Sequence, residues 1–259
     1  MKKRYFLLGL VAVAAGAYYF TPSVSSIVSK LVHKYGSEVT GTDVTLKGLD
    51  FSLTKGEALI DKITVANPTN YKTPNIFDLN KIQVKVDLKS LTSNTIVIES
   101  IVVDKPEITY EMLSLTQNNI KEIQNNVENY LKKSAKEEPK AEQAKPQEAK
   151  AASDEEKAGS KKVVIKKLTI SNAKLSAAAM GQEVAVTLPM IEMKNIGEGS
   201  EKKSIPQVIA MVINKILTVA SQTVVNSKLS NLENVAKENL KGVVGNVKDR
   251  VKELGIFGK

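Results

Sequence analysis

Few side chains in this sequence are equipped for chemistry. His33 is the only histidine among 259 residues, and cysteine is absent. Metal sites are normally built from His, Cys and carboxylates together. A single imidazole beside Lys34 therefore suits a protein surface better than a coordination sphere. The acidic pairs Glu107/Glu111 and Glu137/Glu138 are the remaining candidates for proton transfer. They read as solvated charges rather than as a general acid and base. There is no nucleophile elbow and no glycine loop able to cradle a phosphate. Asn67-Pro68-Thr69 fails as a glycosylation acceptor because proline holds the middle position. The expectation is a non-enzymatic protein with no metal and no cofactor.

Charge narrows the partners. The chain carries 37 basic and 28 acidic residues, a net charge of +9, which favours an anionic neighbour such as phospholipid headgroups or nucleic acid. No basic run carries interleaved aromatics and no nucleic-acid-binding motif accompanies the charge, so nucleic acid is set aside as a partner. Hydrophobic residues make up 42% of the chain, enough for a core, and aromatics only 5% with no Trp, so that core is aliphatic. The lack of cysteine excludes disulfides and fits any compartment.

The N-terminus reads as a membrane signal. Lys2-Lys3-Arg4 precedes the uncharged run Tyr5–Phe20. Sixteen helical residues span roughly 24 Å against a hydrocarbon core of ~30 Å. No charge follows before Lys30, so a helix can continue through Val28 despite Pro22. Basic residues on the N-terminal side place that end in the cytoplasm. Tyr18, Tyr19 and Phe20 suit the far interface. An uncleaved anchor over residues 1–28 is favoured over a signal peptide cut near Ala15-Gly16-Ala17. Both readings export the body.

The elements that follow are read from hydropathy. Val24, Ile27, Val28, Leu31 and Val32 mark a helix over Ser23–Lys34 stopped by Gly36. Strand signals fall at Val44–Leu53, Ala58–Ala66, Lys81–Leu88, Thr95–Val103 and Glu107–Tyr110. Short links at Thr54-Lys55-Gly56, Ser90–Asn94 and Asp104-Lys105-Pro106 predict antiparallel neighbours. An amphipathic helix is predicted over roughly 114–133. Residues 134–161 are rich in Lys, Glu, Ala, Pro and Gln and cannot bury enough surface to offset their ordering entropy. They are read as a linker, with a solvent-exposed helix as the alternative. Strands resume at Val163–Ile170, Ala173–Ala178, Glu183–Leu188 and Ile191–Lys194. Ser204 and Pro206 then open a helix with a stripe from Val208 to Val224. A last helical stripe runs from Leu229 to Leu254. The implied units are 29–133, a β-groove segment with flanking helices, 162–200, a second β segment extending or covering the sheet, and 201–259, the C-terminal helices.

One small unit recurs. Ile96–Val103 aligns without a gap with Val163–Ile170, and Lys62–Asn67 with Lys167–Asn172. Each copy reads apolar, polar, polar, apolar, any, apolar: Ile60–Val65, Ile98–Val103 and Ile165–Ile170. Strand side chains alternate faces, so a bulge or bend at the polar pair is needed to return both apolar sets to one face. The same slip occurs at Gly48, between Val44/Leu46 and Leu49/Phe51/Leu53. Repeated bends predict a curved sheet, and a curved sheet with an apolar inner face is a trough. The fold class expected is α+β, with an N-terminal transmembrane helix, a curved antiparallel sheet, amphipathic helices and a helical C-terminus. Ile82, Val84, Val86 and Leu88, with Ile101 and Val103, are expected on the concave side. That side is an ordinary covered core, an open lipid groove, or part of each.

These residues resemble a known family. The features that carry the resemblance are the anchor, the T-G-x-x-V-x-L opening at Thr40–Leu46, Asn67-Pro68-x-x-Tyr71, Pro106-x-Ile108-x-Tyr110-Glu111, and Leu188-Pro189-x-Ile191 through Gly197. Together they resemble the AsmA-like family of bacterial envelope proteins over about residues 1–197, the linker excluded. The resemblance implies a periplasmic protein anchored in the inner membrane. It also implies a repeating β-groove linked to phospholipid movement or outer-membrane assembly, with membrane phospholipid and envelope-assembly proteins as partners. This chain is much shorter than the large members, which argues against one molecule bridging both membranes. A structural or stress-related β-sandwich, of the late-embryogenesis-abundant kind, is the competing reading. It would require two closed sheets.

Overall fold

In a computed structural model, the residues described are 24–114, 116–141, 161–179, 182–199 and 203–227. A helix over 24–40 (α1) leads into the hairpin β1 (Val44–Ser52) and β2 (Glu57–Ala66). The long β3 (Asn75–Val86) and a 3-10 turn at Leu88–Thr92 follow, then β4 (Thr95–Asp104), β5 (Glu107–Tyr110) and α2 (Asn119–Ala141). The chain returns in β6 (Lys162–Ser171), β7 (Lys174–Ala179), β8 (Gln182–Thr187) and β9 (Ile191–Ile196), and α3 (Ile205–Asn226) closes the described part. All nine strands belong to one open, mixed sheet.

The nine strands behave as six long ones. β5 and β4 lie end to end beside β3, at Phe77↔Ile108 and Ile82↔Val103 in one register. β6 and β7 lie end to end beside them, in parallel, at a constant offset of 67 residues from Thr95↔Lys162 to Tyr110↔Ala177. β9 and β8 complete the edge through Ile170↔Ile191 and Lys174↔Thr187.

Each long strand carries one extra residue at the same level. In β3 the inward residues are Phe77 and Leu79, then Ile82 and Val84, a change of phase that period-two alternation forbids unless one residue is inserted. That residue is Lys81, with φ +53°. Its counterparts are Gly48 (φ +64°) in β1, Asp61 in β2, Lys105 (φ +55°) between β4 and β5, and Asn172 (φ +54°) between β6 and β7. Pro189-Met190 does the same between β8 and β9. Because every strand slips together at this level, register is kept across it and the apolar face continues through a crease that crosses the whole sheet. A second slip, at Glu99-Ser100 in β4 and Lys166-Lys167 in β6, shifts the β3–β4 register between Lys85 and Val86. At Gly48 a Cβ would overlap the Asp61 carboxylate and would also need the left-handed backbone that side chains disfavour. Asp104 bridges two strands at the crease, accepting from Asn172 Nδ2 (2.7 Å) and Ser171 Oγ (3.1 Å). Those hydrogen bonds, the one from Asn172 foremost, hold its carboxyl below the usual carboxylate range.

Several expectations are corrected. The sheet is mixed rather than antiparallel, because the long crossover through α2 brings the second copy back parallel to the first. Asp104-Lys105-Pro106 is therefore a kink within one long strand and makes no hairpin. Gly36 does not stop α1. It packs against Val44, whose Cγ1 would lie 2.9 Å from an added Cβ, and the helix ends at Thr40 before Gly41 (φ +69°). α2 begins later than expected because Asn118 caps it, its Oδ1 accepting from Lys121 N–H at 2.8 Å. It also continues through 134–141, where the alternative of a helix holds for part of the expected linker, on Ala, Lys and Glu residues that favour helix and despite Pro139. Leu88 leaves the strand for the 3-10 turn, where Asp87 accepts from Lys89 N–H. The N-terminal anchor, the rest of the linker and the last helical stripe lie outside the described residues.

Candidate functional site

The sheet's inner face is built from rows of aliphatic side chains that run across the strands. Directly opposed pairs share a face, so register alone lays out each row. One row is Leu49–Ile60–Ile82–Val103–Ile170–Ile191, and the next is Phe51–Ala58–Val84–Ile101–Leu168–Met193. A third, nearest the 3-10 turn, is Val86–Ile98–Ile165–Ile196. Beyond the crease lies Val44–Val65–Phe77–Ile108–Leu175–Val186. The opposite face carries ion pairs such as Lys62–Asp78 (2.7 Å) and Lys167–Glu192 (3.4 Å).

Cover over this face is uneven. α3 lies against β6 and β9, and Ile165, Leu168 and Ile196 beneath it are buried. β9 is followed by Gly197, where Val208 of α3 comes so close that a Cβ would sit 2.9 Å from its Cγ2. α2 covers the far side of the crease with Ile120, Ile123 and Val127, all buried. It meets α3 through Ser221 and Gln124 at 3.3 Å. From β1 to β4, by contrast, Leu49, Phe51, Val84, Val86, Ile98 and Ile101 stay only half-buried, and so does Met193 at the β9 edge.

Ile82 thus opposes Val103, and Val84 opposes Ile101, on the inner face. Val86 opposes Ile98 beside them, while Leu88 sits in the 3-10 turn against Gly56. The row members on the neighbouring strands were not singled out from sequence, above all Ile60, Ile98, Ile165 and Leu168. The apolar-x-x-apolar repeat contained the signal for them.

A polar knot seals the end opposite the half-open patch, and it joins the Asn-Pro-x-x-Tyr loop to the Ile-x-Tyr-Glu strand. Asn67 Nδ2 donates to the Thr73 carbonyl (2.9 Å) and hydroxyl (2.6 Å). The fully buried Asn119 donates to Asn67 Oδ1 (2.8 Å) and the Thr109 carbonyl (2.7 Å), and its Oδ1 accepts from Glu111 N–H (2.9 Å). The Glu111 carboxylate accepts from Lys72 N–H (2.6 Å), Thr73 N–H (2.9 Å) and Thr73 Oγ (2.6 Å). Glu111 is therefore a loop anchor and not a free solvated charge. Tyr71 donates to Glu122 at 3.2 Å. Burial and then that neighbouring charge push its hydroxyl above its ordinary range.

Burial alone would raise the Glu111 pKa, but the hydrogen bonds from Thr73 and Lys72 outweigh it and hold the group below its ordinary value. A carboxyl with a depressed folded-state pKa contributes stability that is present above its unfolded value. That contribution is lost as pH falls through the folded value. The melting-temperature gap between wild type and Glu111→Gln should accordingly be widest near pH 6 and close as pH drops below about 4. A gap that stays constant with pH would show that the charge contributes nothing.

His33 lies at the surface, Nδ1 donating to the Val44 carbonyl (3.0 Å) and 3.3 Å from Asp43. Among the described residues no cluster of His, Cys, Asp or Glu could hold a metal ion. α3 is also long and apolar enough to cross a membrane by length and composition, with a third of its apolar window buried in the fold.

Comparison with known proteins adds one match. The sequence model of the AsmA family fits residues 58–245, well over half of the chain. No curated protein matches.

Proposed function

The chain belongs to the AsmA family of envelope-associated proteins, and from that premise we propose that it handles phospholipid without enzymatic chemistry. Its N-terminal segment anchors it in the inner membrane. The sheet stands in the periplasm, receives acyl chains on its inner face and serves outer-membrane assembly with partner proteins. The observation that carries this reading is the uneven cover: a continuous aliphatic face, sealed under α2 and α3, stays half-open at Val84, Val86, Ile98 and Ile101.

The half-open stretch from Phe51 on β1 to Ile101 on β4 crosses four strands, a trough about 14 Å long at ~4.8 Å spacing. One leaflet's acyl chains occupy about half of a ~30 Å hydrocarbon core, so a trough this short suits one lipid molecule. Native mass spectrometry of detergent-purified protein should find phospholipid bound at one per chain. Val84→Asp should remove that lipid while lowering the melting temperature only by about 2–4 °C, because a half-buried carboxylate keeps part of its water. Leu175→Asp, at a fully buried site of the same face, should unfold the protein. Wild-type protein free of lipid, or Val84→Asp that keeps it, would sink the reading. The stress-protein alternative needs two packed sheets, whereas the described strands form one.

A further inference from the structure

We propose that the rim bearing Lys55, Lys89, Lys161, Lys162 and Lys203 receives the phosphate of an anionic phospholipid whose acyl chains lie on the half-open inner face. This rests on the lipid-handling reading and adds the headgroup class.

Backbone contacts set the five lysines side by side across the strand ends. Val86 N–H donates to the Gly56 carbonyl (2.7 Å), which places the turn of Lys55 beside the end of β3 and the turn of Lys89. The Lys161 ammonium bonds the Leu91 carbonyl in that same turn. Lys162 N–H donates to the Asn94 carbonyl (2.9 Å), and Val163 N–H to the Lys203 carbonyl (3.1 Å). Three carboxylates share this rim, Glu57, Asp87 and Glu198, and that of Asp87 is engaged in capping the 3-10 turn. None of the ion pairs among the described residues uses any of the five lysines. The rim is therefore net positive.

The half-open residues Val86 and Ile98, with Val84 and Ile101 behind them, lie directly below it. The opposite rim is sealed by the polar knot and carries Glu111 and Glu122. An amphiphile on the inner face has one unsealed border at which to leave its headgroup, and that border is cationic. Lysine presents a compact point charge suited to a single phosphate. A net-negative headgroup gains from the whole rim, whereas a zwitterionic one brings its own cation against it.

Full-length delipidated protein should be exchanged at low salt with vesicles of equimolar phosphatidylglycerol and phosphatidylcholine, and its bound lipid read by native mass spectrometry. A lysine beside an anionic lipid is worth about fivefold in affinity, and with five lysines against three carboxylates on the rim wild type should carry phosphatidylglycerol in roughly 25-fold excess. The exposed triple substitution Lys55→Gln/Lys89→Gln/Lys162→Gln should bind the same total lipid at a ratio near that of the vesicles. Raising the salt should erode the wild-type preference. Equal binding of both lipids by wild type, or an undiminished preference in the triple variant, overturns the proposal and leaves lipid handling intact. Recruitment to anionic vesicles with no lipid carried off would mean that the rim docks on a membrane surface, and overturns it too. Absence of any bound lipid removes the lipid-handling reading, and this proposal with it.

Discussion

Deletion of Lys81 is expected to leave no folded protein, whereas Lys81→Gly is expected to be neutral or mildly stabilising. The side chain is exposed and sits at a left-handed φ of +53°, a conformation that costs a non-glycine residue about 1 kcal/mol. Glycine relieves that cost. Deletion acts on everything downstream instead. Without the inserted residue, Ile82, Val84 and Val86 would turn to the outer face and Gln83 and Lys85 to the inner one. The alternative is a one-residue register shift against both β2 and β4. Exposing the buried Ile82 costs about 1.5–3 kcal/mol, and the half-buried Val84 and Val86 add smaller amounts. Turning Gln83 and Lys85 inward adds the cost of burying polar groups, so the sum reaches the lower end of a typical domain's stability, ~5–15 kcal/mol. Urea titration of the two variants followed by circular dichroism would check this. A cooperative, native-like transition in the deletion variant would mean that the crease does not set the sheet's phase.

The second large effect is expected at Asn119. Replacement by Ala removes donors to Asn67 and the Thr109 carbonyl and an acceptor for Glu111 N–H. Asn119 is fully buried, so partners left without it cannot all recover water. Leaving buried polar groups unpaired costs about 1–3 kcal/mol each. A total loss of about 3–4 kcal/mol is expected after relaxation, a fall of roughly 8–15 °C in melting temperature. Asn119→Asp should fare little better, since it turns two donors into acceptors that face Asn67 Oδ1 and the Thr109 carbonyl. A loss below 1 kcal/mol in Asn119→Ala would show that the loop and α2 are held by their apolar contacts alone.

Strand positions were legible because alternation is a local property, and β5 falls at Glu107–Tyr110 as the pattern predicts. The need for an inserted residue was legible too, at Gly48 and at the polar pair of each repeat. Its placement was not readable at Lys81 or Lys105, since lysine does not announce a left-handed backbone as Gly or Asn can. Parallel pairing was hidden by habit rather than by lack of signal. Short links suggest antiparallel neighbours, yet the gapless alignment of Ile96–Val103 with Val163–Ile170 is itself the 67-residue offset at which β4 and β6 pair. The two copies resemble each other and lie side by side in register. The row members on neighbouring strands could not be read from one segment, because each row is assembled from residues far apart in sequence. The knot was missed for a related reason: Glu111 is held by backbone N–H groups of a loop 38–39 residues away, and no residue type signals that.

The shared crease and the constant offset together make this sheet extensible. A further duplicated unit, inserted beside β9 with its own extra residue at the same level, would meet the same row spacing and the same bend that β6 met beside β4. It would lengthen the trough by two strands, or about 10 Å, without any existing residue having to change. In such an architecture, size can evolve by counting copies, and the length of the inner face becomes a matter of gene length rather than of new design.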